Sequence, residues 1–444
     1  MTRSPPAARW LVPLAGGLLL AAVLVVAGPV AALQSAPGAG GNLAMRDGGN
    51  LAPSVTGTQA TAAAAGLPGP PGAVDTVTPG TNQTNSLMPP TDAQVRETYV
   101  TADIDVAAAT GSSAERLHGR FERATFRRAW TGEAESVQRR LVRSELAAVR
   151  ERLDRLETRA QTALAAFQAG TVSASTFLRR AGLVHVQATQ LSRRLNTVDQ
   201  QLSISTRPPY ITAYQTPLDN ARSRVNTLRN PVGAVLNGSL SGGRDPTDVY
   251  LLLGSDAYVM GTSVAGEFSR VAQVAENRVT TGTDQFEATG DRIVAALTRF
   301  RTLYPWADAN AIRTPSINRF GNTSVYRVGV VHAHGELTTY TDGRTRNVFH
   351  EVQVLRQESL PVASTVRNET DALVLTVNAT GPTRPMRIEL DQAGTMAPLD
   401  GVVRVDGTVV GRTGESGTFW TVQPRGQFTV NVTVDTDSVA VTGP

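Results

Sequence analysis

Three histidines and two glutamates form the one grouping in this chain with metal-binding potential. His332 and His334 lie two apart in a segment that reads as a strand, so their side chains should share a face. Glu336 is near, and His350 and Glu351 follow across a turn at Asp342-Gly343. Neutral imidazoles with a carboxylate can hold zinc or another divalent ion, which would make the chain an extracellular metal-dependent hydrolase. The spacing matches no established ligand signature. His332, His334 and His350 therefore stand as metal candidates on proximity alone, and the sequence assigns no cofactor.

Other catalytic chemistry finds no support. Gly261-Thr262-Ser263-Val264-Ala265-Gly266 has one residue too many for a G-x-S-x-G elbow, and no P-loop occurs. Glu133 and Glu135 are two apart on a helix and so cannot act from one face. With no cysteine there is neither a disulfide nor a thiolate ligand. No residue is assigned a catalytic role, and the chain is read as a binding or structural protein.

The elements that would position these residues are clearest in the middle of the chain. Leu146, Val149, Leu153, Leu156, Ala160, Ala163 and Phe167 recur at spacings of three and four. Phe177, Ala181, Val184, Ala188, Leu191, Leu195, Val198 and Leu202 form a second such series. Each makes a narrow apolar seam on a helix. Gly170 ends the first helix and Ser173 or Ser175 caps the second, giving an antiparallel, coiled-coil-like hairpin. Such seams close within one hairpin or pair two chains as a homo-oligomer, and spacing leaves both arrangements open.

Beyond the hairpin, Val249 to Leu253, Tyr258 to Val264, Ser324 to Val331 and Glu336 to Tyr340 read as strands. Phe286 to Leu303 reads as a helix, and Phe349 to Leu355 fits either type. The last eighty residues are short alternating runs, with a two-residue turn signal at Asp406-Gly407. The expected fold class is multi-domain α+β: a helical hairpin at 96–206, a mixed α+β domain at 207–362 and a C-terminal β-sandwich at 363–444.

The N-terminus addresses the chain. Arg3 and Arg9 precede an apolar run from Trp10 to about Ala32, and no acidic residue appears before Asp47. That is an export signal, placing the rest on the outer side of the cell envelope. Residues 1–32 are either a signal peptide cleaved after Val30-Ala31-Ala32 or a retained membrane anchor. Residues 33–95, rich in Gly, Ala, Pro and Thr, read as a disordered tether.

All 42 basic residues are arginine, the signature of a GC-rich genome, and the formal net charge is +4. From Glu115 to Arg229 there are twenty arginines against ten acidic side chains. Arg179, Arg180, Arg193 and Arg194 lie mostly off the apolar seam and are the candidate partner surface, suited to an acidic envelope protein or an anionic surface polymer. Nucleic acid is not expected, since aromatics do not alternate with the arginines. Asn82, Asn237, Asn322, Asn368, Asn378 and Asn431 each begin an N-x-S/T sequon and are glycosylation candidates.

Several segments carry a family likeness. They are Ala114-Glu115-Arg116-Leu117-His118, Ala165 through Gly170, Leu303-Tyr304-Pro305-Trp306-Ala307, Val348 through Gln353, and Val405 through Val422. Together they resemble haloarchaeal exported proteins of unknown function whose C-terminal module is similar to an archaeal fibronectin type III-like domain. The resemblance implies an envelope or surface protein and supplies no catalytic residues. The expectation is thus an exported envelope interaction protein, membrane-associated through its N-terminus if that segment is retained.

Overall fold

The two seams fold as expected. In the computed structural model, which describes residues 76–90, 95–204, 208–254 and 256–444, they form α2 (Glu135–Gln168) and α3 (Ala174–Ile204). Gly170 takes φ +69°, and the Thr171 N–H donates back to the Ala166 carbonyl, closing α2 with a left-handed cap. Ser173 then caps α3 by accepting from the Thr176 N–H at 3.2 Å. Val149, Leu153, Leu156, Leu191, Leu195 and Val198 meet in one buried core.

That hairpin is part of a larger helical layer. α1 (Val106–Trp130) adds Phe126 and Trp130 to the core, and α4 (Pro208–Leu228) adds Leu218 and Val225. α5 (Pro231–Leu240) follows. The helices therefore run past residue 206, because α4 and α5 complete the packing that the hairpin begins. Among the described residues no helix is long and apolar enough to cross a membrane. The proposed signal or anchor at 1–32 lies outside the described residues, as does most of the tether.

The layer covers one face of an eight-stranded antiparallel sheet. Its strands are β3 (Arg96–Ala102), β4 (Thr247–Leu253), β5 (Ala257–Val264), β6 (Glu267–Val274), β7 (Ser316–Arg319), β8 (Val325–His332), β9 (Gly335–Asp342) and β10 (Val348–Arg356). The order is β3-β4-β5-β6-β10-β9-β8-β7. Phe167, Phe177, Val232 and Leu236 pack against Val249, Leu251, Met260 and Val271 on the helical side. The opposite face carries Tyr250, Leu252, Phe268 and Leu337 beneath α6 (Arg292–Leu303) and α7 (Pro305–Ala309). With both faces covered, β4 reads as an unbroken apolar run from Val249 to Leu253. The helix expected from Phe286 begins only at Arg292, because the Asp291 side chain caps it through the Ile293 and Val294 N–H groups.

The tether reading fails at its C-terminal end. β1 (Val77–Gly80) and β2 (Gln83–Leu87) form a hairpin that buries Leu87 and Met88 in the second face of the sheet. Composition hid it, since polar side-chain bonds rather than an apolar stripe hold most of it.

The C-terminal strands form a sandwich of two four-stranded sheets. One is β11 (Ser364–Glu369), β12 (Leu373–Ala379), β13 (Pro385–Gln392) and β16 (Thr418–Val422). The other is β15 (Thr408–Arg412), β14 (Val402–Val405), β17 (Phe428–Val434) and β18 (Asp437–Gly443). Asp406 and Gly407, at φ +50° and +80°, make the expected turn from β14 to β15. The chain is a mixed α+β, multi-domain protein.

Candidate functional site

A block of exposed charge with an apolar centre lies on α1, where the sequence pattern is least regular. Asp105 caps this helix, accepting from the Ala108 N–H at 2.8 Å. The helix lies on α3 through small residues: a Cβ at Gly119 would stand 2.7 Å from the Gln190 carboxamide oxygen. Its two carboxylates turn inward. Glu115 accepts from Gln187 at 2.6 Å and pairs with Arg152; Glu122 pairs with Arg194 at 2.9 Å. What faces solvent is cationic and apolar. Arg120, Arg127 and Arg128 are exposed and form no ion pair among the described residues, while Leu117 and Phe121 beside them are 67% and 68% exposed. Arg123 has its pKa lowered by burial and then by Arg193, Arg127 and Arg120, which places four guanidiniums in one field.

The four arginines expected to form a partner surface divide. Arg194 is a packing residue, held between Glu145 and Glu122, and Arg179 pairs with Asp105 at 3.1 Å. Arg180 and Arg193 are exposed. The fold brings only Arg193 into the α1 cluster.

The histidines do not converge. His332 ends β8 on the α6–α7 face, and His334 lies in the following turn. Their rings surround Trp306, with centroids 5.4 and 4.6 Å from it. The His334 N–H donates to His332 Nδ1 at 3.2 Å. His350 is on the helical face, level with Gln273 and Tyr340 on the neighbouring strands. Burial and neighbouring cations push His332 down to about 4, and burial and then Arg278 push His350 down to about 3. Among the described residues no three His, Asp or Glu side chains are grouped to hold a metal ion.

Glu351 has its own occupant. It accepts from Arg270 at 2.6 Å, the Tyr304 hydroxyl at 2.7 Å, the Leu87 N–H at 2.9 Å and Gln353 at 2.9 Å. Four donors fill its lone pairs and leave none for a metal. Both charges of the Arg270–Glu351 pair are fully buried. Nearby, Arg384 donates to Gln83 and Ser86 at 2.6 Å each, tying the sandwich to β2; burial and then Arg270 push its pKa down to about 9. Sequence reasoning missed this network, because only strand register shows that Arg270 and Glu351 meet.

With that geometry in view, residues 14–245 match the model of a domain of unknown function, DUF7096. The chain belongs to that family. Residues 249–361 match a second family of unknown function, DUF7094, and residues 364–441 match the archaeal fibronectin-III type-like domain. No curated protein and no solved structure matches the chain. The resemblance read from the sequence is thus correct for the C-terminal module and for membership of an uncharacterised family.

On this frame the sequons fall at unequal depths. In the DUF7096 segment, Asn82 is exposed at the β1–β2 turn, and Asn237 is half-buried in α5. Asn322, in the DUF7094 segment, is exposed. In the fibronectin-like module Asn368 is exposed on edge strand β11 and Asn431 is half-buried. Asn378 is buried, donating to Glu389 and accepting from Thr365 at 2.8 Å each.

Proposed function

We propose that this DUF7096 protein is an exported envelope protein that binds an acidic partner protein and catalyses no reaction. The observation that carries the reading is the outer face of α1: Arg120, Arg127, Arg128 and the neighbouring Arg193 around exposed Leu117 and Phe121, with both carboxylates of the helix turned inward. Arginine and aromatic side chains are the residue types that dominate binding energy at protein interfaces. Guanidiniums steer an acidic surface into place, and the two apolar side chains give it something to bury. The N-terminal segment would keep the chain at the outer side of the membrane or release it into the medium.

Retention on isolated envelopes tests this. Replacing Arg120, Arg127, Arg128 and Arg193 with Glu together is expected to reduce retention at least tenfold, with an unchanged thermal melt, and added salt should weaken wild-type retention. Retention that survives the reversal sinks the reading. Protease treatment of the envelope identifies the partner class. Loss of retention fits a protein, whereas survival points to an anionic polymer instead.

A further inference from the structure

A cavity of about 530 Å³ lies between the helical layer and the sheet, within the size range of small-molecule sites. Part of its wall is a continuous apolar surface of Leu164, Phe177, Ala181 and Met260. The rest is polar, and its charges are unevenly matched. Arg224 is neutralised by Asp154 at 2.6 Å and Glu157 at 2.7 Å. Arg278 has no ion-pair partner among the described residues; its guanidinium rests over the Phe349 ring, 4.9 Å from the centroid. Glu157 and Asp342 favour its charge through space without touching it, yet burial still outweighs them and lowers its pKa, a cost that an anion in direct contact would offset.

Two further groups are left under-used on the same side of the sheet. Gln273 lines the cavity and accepts from the Tyr258 hydroxyl at 3.3 Å, and among the described residues no acceptor takes its amide N–H groups. Next to it, His350 is fully buried, and among the described residues both its ring nitrogens lack a hydrogen-bond partner. Donors and a cation stand on one side, and an apolar wall long enough for a chain stands on the other.

We infer that this cavity binds a single-chain amphiphile, with its anionic head at Arg278 and Gln273 and its hydrocarbon chain along Leu164, Phe177, Ala181 and Met260. A cationic head would meet Arg278 unfavourably, and a fully neutral ligand would leave the guanidinium without a contacting counter-charge. A fatty carboxylate and a phosphate-headed lipid share the required chemistry. The site is separate from the α1 face, so either proposal can fail without the other.

The test is calorimetric titration of the full chain with dodecanoate and dodecyl phosphate below their micellar concentrations and with dodecanol below its solubility limit. Wild type is expected to bind one equivalent of at least one of the two anions. Arg278→Gln should weaken anion binding at least tenfold and leave dodecanol unaffected. Ala181→Phe, which fills the apolar side, should weaken all three; if that variant fails to fold, the head-group comparison in Arg278→Gln decides. Tighter binding of dodecanoate identifies a fatty carboxylate, and tighter binding of dodecyl phosphate a phosphate-headed lipid. The inference is overturned if wild type binds neither anion, or if anion binding is the same in Arg278→Gln as in wild type.

Discussion

Acidification from pH 6.5 to pH 5 should strip stability from this protein through histidines that fold uncharged. His350 and His332 are both fully buried, with folded pKa values pushed down to about 3 and about 4, chiefly by burial. An unfolded histidine titrates near its ordinary value of about 6.5. Between those limits the unfolded chain binds protons that the folded chain refuses, so stability falls as pH falls. Each such histidine contributes a slope that rises from half to nearly the full value of about 1.4 kcal/mol per pH unit, or about 1.6 kcal/mol over this interval. The two together cost about 3 kcal/mol, a substantial part of a typical folding free energy of about 5–15 kcal/mol. His185, also lowered to about 4 by burial and then by Arg229, adds in the same direction. Asp248 and Asp342, whose pKa values burial raises, act with the opposite sign, but mainly at lower pH where carboxylates titrate. Urea denaturation at pH 7.5, 6.5, 5.75 and 5.0 reads the slope directly. His350→Leu should remove about one histidine's share of it. A free energy of unfolding that stays flat from 6.5 to 5, or a slope untouched by His350→Leu, would refute the reasoning.

Two further outcomes follow from particular contacts. Glu351→Gln leaves the buried Arg270 guanidinium without its counter-charge and should cost about 3–5 kcal/mol in urea denaturation at pH 7.5. Gly119→Val drives a side chain into Gln190 and should cost about 1–3 kcal/mol. The same change should also weaken envelope retention, since it displaces the face that α1 presents, and both readouts are accessible on one purified variant.

What could be read from the sequence depended on whether apolar spacing carried the packing. α2 and α3 were legible because Leu, Val and Phe at alternate threes and fours are the core itself. The β14–β15 turn was legible because Asp406-Gly407 states its own backbone conformation. α1 was not, because its buried positions include Ala108, Ser112 and Gly119, while Leu117 and Phe121 face solvent. β6 was masked by Arg270, a full charge in the middle of a buried strand. The histidine grouping misled for a related reason. Closeness in sequence says nothing about which face of a pleated sheet each residue takes, and His332 and His350 take opposite ones. Of the arginines expected to form a partner surface, Arg194 is claimed by carboxylates from other helices, which spacing along one helix could not show, while Arg120, Arg127 and Arg128 lie exposed on a helix that the pattern did not reveal.

The matched segments also divide what the fold joins. β3 lies within the DUF7096 match and five of the seven residues of β4 fall within the DUF7094 match, yet the two strands pair residue for residue from Arg96 with Leu253 to Ala102 with Thr247. The cavity draws its apolar wall from α2 and α3 of the first segment and from Met260 of the second, so neither segment encloses it alone. The fibronectin-like module is bound to the same body at several points. The Tyr99 hydroxyl donates to the Val422 carbonyl, and the Arg425 N–H donates to Glu97 at 3.0 Å. A Cβ at Gly261 would press on Val422 at 3.3 Å, and Arg384 reaches across to Gln83 and Ser86. Burying Arg270, Glu351 and Arg384 at this junction is an expensive way to gain cohesion, because a well-packed apolar cluster would serve stability at least as well. What charged groups add is register: each guanidinium and carboxylate is satisfied only when β2, β6, β10 and the Thr383–Arg384 turn are all in place. The three matched segments are therefore best understood as one cooperative unit, in which the sandwich and the β1–β2 hairpin brace the sheet face behind the cavity and hold the α1 surface in a fixed relation to it.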